Sequence, residues 1–273
     1  MTTRTFPLSA PINLNARLGH GSVVVTAQDD LAEARVTLIP RTADSGVVDR
    51  ITVELNGPTL SVLAPRQGGV TDLFNVGRRE RDGVDVEIAV PSGTAMKIAT
   101  FTADITVRGR CGSADLATGA ATITVDDVDG DLRLRSGSAS SRVRTVRGSV
   151  VVRSASGDAD FGEIAGSLQA GFGSGDLDVG IVHGEVRSRA GSGEARLGTV
   201  HGDVDLAAGS GDVSIGLPAG VSARLEVKTG SGRVRSELPI EDDRKGTGRA
   251  ISLRARTGSG DVRLFRAGGP PAA

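Results

Sequence analysis

Residues 146–217 fall into four consecutive lines of eighteen: VRGSVVVRSASGDADFGE (146–163), IAGSLQAGFGSGDLDVGI (164–181), VHGEVRSRAGSGEARLGT (182–199) and VHGDVDLAAGSGDVSIGL (200–217). Each line holds two glycines nine residues apart, one in a V-x-G turn (I-A-G in the second line) and one in an S-G-D or S-G-E turn. Stepping nine residues from Gly130 meets Ala139, Gly148, Gly157, Gly166, Gly175, Gly184, Gly193, Gly202 and Gly211, and stepping back meets Ala121, Gly112 and Ala103. No insertion or deletion interrupts the series. Between glycines the chain alternates: after Gly130, Leu132 and Leu134 are apolar while Arg133 and Arg135 are polar. A period of two is that of a half-buried strand and not of a helix.

Short strands punctuated by glycine in strict register predict an all-β fold, a β-solenoid with about 18 residues per coil built from nine-residue half-repeats. Coils stacked at the inter-strand spacing of roughly 4.8 Å place residues 18 apart above one another. The columns agree. Positions 132, 150, 168, 186 and 204 read Leu, Val, Leu, Val, Val; 128, 146, 164, 182 and 200 read Val, Val, Ile, Val, Val; 143, 161, 179, 197 and 215 read Val, Phe, Val, Leu, Ile. Glycine is expected at the corners, where φ turns positive or a side chain has no room.

Outward from this run the pattern loosens. Residues 1–97 carry strand-like runs (Ser22–Val25, Ala34–Ile39, Ile51–Leu55, Val84–Ile88) that cap or start the solenoid, and 98–216 form its regular part. The turn Val90-Pro91-Ser92-Gly93 recurs as Leu217-Pro218-Ala219-Gly220, so 217–265 reads as further coils with a charged loop at 239–249, followed by a tail at 266–273.

The S-G-D-V turns, their V-x-G-x-V partners and the segment LPAGVSARLEVKTGSGRV (217–234) resemble the bacterial β-strand-repeat proteins known as putative adhesins, a domain family of unknown function. The resemblance spans most of the chain. It implies the solenoid fold and a structural or interaction role without catalysis.

Composition narrows the function. With 32 basic and 33 acidic side chains the net charge is -1, which argues against a general nucleic-acid binder. Trp and Tyr are absent and Phe numbers 6, so flat platforms for stacking glycans or bases are scarce. The single Cys, Cys111, excludes an internal disulfide framework, and three His leave little for a histidine metal centre. No P-loop or H-E-x-x-H motif occurs. No signal-like N-terminus and no apolar run of about 18 residues is present, so a cytoplasmic location and no membrane insertion are expected.

Four groups of residues are candidates for more than architecture. Asp158, Asp176, Glu194 and Asp212 lie 18 apart as an acidic ladder, either a Ca²⁺ site or a set of carboxylates capping their own turns. Arg142, Asp160, Asp178 and Arg196 form a mixed column read as ion pairing between coils; the trio Asp160, Asp178 and Arg196 also imitates a polysaccharide-cleaving β-helix. His183 and His201 stack, each two residues before an acid. Finally Arg133, Arg135, Arg142, Arg144, Arg147 and Arg153 precede a stretch rich in acids, a charge segregation that suits self-association or an unknown protein partner. No resident cofactor is expected unless Ca²⁺ occupies the ladder.

Overall fold

The computed structural model describes residues 1–8, 11–42, 46–65, 83–238 and 250–267. The chain forms two compact units, Met1–Ser140 and Ser141–Ala273. The division falls inside the run expected to be uniform. The charged stretch at 239–249 and residues 268–273 of the tail lie outside the described residues.

The first unit holds β1 (Thr2–Pro7), β2 (Asn13–Gln28), β3 (Glu33–Pro40), β4 (Thr52–Asn56), β5 (Thr59–Leu63), β6 (Val84–Pro91), β7 (Ala95–Cys111), β8 (Ala114–Thr118), β9 (Ile123–Val128) and β10 (Leu132–Ser138). β2 and β7 are long strands that lie side by side in parallel, from Asn13↔Ala95 to Thr26↔Arg108. On its other edge the first half of β2 pairs with β5 and its second half with β6. β7 then hands the register to β8 and β9, 18 residues further on (Met96↔Ala114, Ile105↔Ile123), until an irregularity between Val107 and Arg110 shortens the step to 17 (Arg110↔Asp127). The start of this unit is closed by antiparallel strands, β3 on β6, β1 on β3 and β4 on β5. Val53 on β4, Leu60 and Val62 on β5, and Val86 and Ile88 on β6 are buried.

The second unit is the regular one. It contains β11 (Ser141–Val146), β12 (Val150–Ser156), β13 (Ala159–Ile164), β14 (Leu168–Ser174), β15 (Leu177–Val182), β16 (Val186–Ser192), β17 (Ala195–Val200), β18 (Val204–Ser210), β19 (Val213–Leu217), β20 (Ala223–Ser231), β21 (Val234–Ser236), β22 (Ile251–Ser259) and β23 (Val262–Arg266). Even-numbered strands stack in parallel from β12 through β14 and β16 to β18, and odd-numbered strands from β11 to β19, each step 18 residues. The predicted columns are the core: Val150, Leu168, Val186 and Val204 are buried on one side, Val143, Phe161, Val179, Leu197 and Ile215 on the other, and Val146, Ile164, Val182 and Val200 at the corner. Each such side chain stabilises the fold by about 1.5–3 kcal/mol when fully buried, far more than an exposed ion pair at ~0.2–1. The aliphatic columns therefore hold the stack together.

After β19 the sequence order is no longer the spatial order. β18 pairs with β22 (Val204↔Leu253) and β19 with β23 (Val213↔Val262); β20 and β21 lie outside them (Leu225↔Leu253, Val234↔Val262). The coil that ends the sequence is thus inserted beneath the one before it. The proline turns explain how. Leu217-Pro218-Ala219-Gly220 leads from β19 to β20 across the inserted coil, as Val90-Pro91-Ser92-Gly93 leads from β6 to β7 across β2. Both glycines are left-handed, Gly93 at φ 77° and Gly220 at φ 76°, with open space where a Cβ would point. The second arch is tied down by Arg266, whose Nη1 donates to the carbonyls of Pro218 and Val221, both at 2.8 Å.

Candidate functional site

The S-G-D corners bring the acidic ladder together as the sequence implies, with a different use for its oxygens. Asp158 Oδ1 accepts the backbone N–H of Asp176 at 2.9 Å, and Asp176 Oδ1 accepts that of Glu194 at 2.7 Å. Each carboxylate thus caps the turn of the next coil, where the sequence suggested its own. Glu194 departs from the series: its longer side chain reaches Arg196 Nη2 at 2.7 Å. Asp212 resumes it, accepting the N–H of Asp261 at 2.8 Å, and Asp261 accepts that of Arg233 at 2.8 Å. Among the described residues no group of three or more His, Cys, Asp or Glu is gathered in the manner of a metal centre.

Glycine is forced at these corners. Gly157, Gly175, Gly193 and Gly211 all have positive φ, and a Cβ on Gly175, Gly193 or Gly211 would run into the carbonyl of the glycine one coil below. The stack can be this close because no side chain intervenes. Further columns, Gly162/Gly180/Gly198/Gly216 and Gly173/Gly191/Gly209, obey the same steric rule within strands. They share the 18-residue spacing, the signal by which the sequence could have shown them.

The mixed column is an ion-pair row on the outward face. Arg142 Nε lies 3.1 Å from Asp160 Oδ2, and Arg196 Nη1 lies 3.3 Å from Asp178 Oδ2. Glu194 and then Asp178 beside it raise the Arg196 guanidinium above its ordinary pKa. Arg196 is therefore fully engaged by two carboxylates. His183 and His201 stack with centroids 4.9 Å apart and planes 12° apart, but His183 Nε2 pairs with Glu163 Oε1 at 2.9 Å and not with the neighbouring Glu185.

The six arginines divide between the units. Arg133 and Arg135 are exposed on β10, with Arg135 Nη2 2.8 Å from Asp115 Oδ1. Arg142 and Arg144 on β11, Arg147 at the following corner and Arg153 on β12 are exposed in the second unit.

One feature escaped the sequence reading, the outermost coil of the second unit. Leu225 is 42 % exposed and Val234 48 %, whereas their column neighbours Leu253 and Val262 are at 0 % and 1 %. Around this edge Glu226 accepts from Arg254 Nε at 2.9 Å and from Arg256 Nη2 at 2.7 Å. Those two hydrogen bonds, that of Arg256 first, depress its pKa from 4.5 to about 2.

A parallel stack of short aliphatic coils, cornered by glycine and faced with ion pairs, defines the class as a β-solenoid. The chain belongs to the Toastrack DUF4097 family, whose model matches residues 22–269. Solved structures similar to it include a putative adhesin from Bacteroides fragilis, 13% identical with a TM-score of 0.43, covering 96% of each chain. Another is a putative lipid binding protein from Parabacteroides distasonis, 11% identical with a TM-score of 0.44 and 96% of each chain covered. A putative adhesin from Parabacteroides merdae is 10% identical, at a TM-score of 0.41, covering 96% of this chain and 95% of its own. No protein of curated function matches.

Proposed function

We propose that this chain is a non-catalytic scaffold that meets a protein partner at the open coil of its second unit. The observation that carries this reading is the emergence of the core columns at Leu225 and Val234, 42 % and 48 % exposed. Apolar side chains presented at a strand edge favour association. The outward acids and arginines support the non-catalytic part, being already engaged with backbone amides and with one another. The description of similar structures as adhesins is in keeping with an interaction role.

A photoreactive amino acid at position 225, introduced in living cells, tests the reading. Covalent protein adducts are expected from position 225 in excess of those from position 178 on the ion-paired face. Absence of adducts at 225 overturns it.

A further inference from the structure

The open edge has a chemistry that selects its occupant. β20 is hydrogen-bonded to β22 and β21 to β23, and among the described residues no strand lies on their other side. β20 reads Ala-Arg-Leu-Glu-Val-Lys-Thr-Gly-Ser, so Leu225 and Val227 point with the core columns while Arg224, Glu226 and Lys228 point outward.

The carboxylates of this coil are already taken. Glu226 is held by Arg254 and Arg256, and Glu237 by Arg263 at 2.8 Å. Two of the cations are stacked on cations, Lys228 in register with Arg256 and Arg235 with Arg263, and the carboxylate that Lys228 Nζ approaches, at 3.7 Å, is the shared Glu226. Arg224, Lys228, Arg233 and Arg235 are all exposed, so the edge is apolar inside and basic outside. Two such ends facing one another would set basic against basic, which disfavours a second copy.

The column through Glu226 alternates in sign along the stack: Arg187, Asp205, Arg254, Glu226. Its next rung calls for a base, while the rungs over Arg224 and Lys228 call for acids. The positions between them call for apolar side chains to cover Leu225 and Val227. We infer that β20 accepts by strand addition an extended protein segment of the pattern acid–apolar–base–apolar–acid. The pattern is the same read in either direction, so parallel and antiparallel additions both satisfy it. This deepens the interaction reading above and rests on it.

The test uses the full chain and two fluorescein-labelled, end-capped peptides, Ser-Glu-Val-Lys-Val-Glu-Ser and its charge-reversed form Ser-Lys-Val-Glu-Val-Lys-Ser, titrated by fluorescence anisotropy. The first is expected to bind about tenfold or more tightly than the second, with the difference shrinking as salt rises. The double substitution R224E/K228E should invert the preference, its fold checked by circular dichroism. Equal affinity for the two peptides, or binding of neither, overturns the inference, and both results are read on the unaltered chain. So does a dimer in light scattering that neither peptide dissociates, which would give the edge to a second copy. Adducts at position 225 without charge discrimination would sink the acidic segment and leave the interaction reading standing.

Discussion

Asp212 Oδ1 accepts the backbone N–H of Asp261, 49 residues further along the chain, where Asp158 accepts that of Asp176 at 18. The carboxylate-to-amide series follows the stack in space and jumps with it where the C-terminal coil is inserted. Asp212 is therefore a register pin for that coil. Asp212→Ala removes the acceptor and is expected to cost about 1 kcal/mol in urea denaturation. Amide hydrogen exchange should quicken at Asp261 more than at Asp176. Uniform quickening along the second unit would contradict the local role.

Gly193 and Gly220 separate the two reasons for glycine. At Gly193 φ is 125° and a Cβ would enter the carbonyl of Gly175; at Gly220 φ is 76° with nothing in the way. Gly193→Ala should thus cost upwards of about 3 kcal/mol or prevent folding, and Gly220→Ala about 1. Equal losses in paired denaturation curves would mean that the coils spread to admit a methyl group.

The columns were legible because a solenoid writes its contacts at one fixed spacing. Val150, Leu168, Val186 and Val204 announce their stacking through the eighteen-residue repeat alone. That rule fails where order in sequence and order in space part company. Val204 meets Leu253, and no local pattern marks the partnership, because Leu225 is just as apolar as Leu253 and either could occupy that place. For the same reason the exposed edge was invisible: a core column looks alike whether another coil covers it or not. The proline turns at Pro91 and Pro218 were visible as a repeated motif, but their role as arches over an inserted strand depends on non-local pairing. At the S-G-D corners the acidic ladder was legible as a column. Its hydrogen bonds to the next coil were not, since the direction of a carboxylate is set by backbone geometry.

Glu226 makes one acidic transition predictable in sign. Its folded pKa, held at about 2 by Arg256 and Arg254, lies below the ordinary 4.5. A depressed carboxylate contributes stability above its unfolded pKa and loses it as pH falls through the folded one. Wild type should therefore lose melting temperature between pH 4.5 and about 2 more steeply than Glu226→Gln. The carboxylate is only partly buried, so added salt should narrow the gap. Parallel melting curves for the two proteins across that window would show that the cluster contributes nothing net.

Cys111 reports on the first unit. Its side chain is buried at the end of β7, where Sγ donates to the Asp127 carbonyl at 3.4 Å. Burial first, with Asp129 and Asp127 nearby, pushes the thiol up to about 12, so the reactive thiolate is almost absent at neutral pH. Native protein should resist a maleimide reagent and become labelled only as it unfolds. Labelling across a urea series is expected to follow the loss of β-sheet signal from the first unit. Rapid modification in the absence of denaturant would mean that the β7–β9 register opens locally, at the irregularity between Val107 and Arg110, without the rest of the stack coming apart.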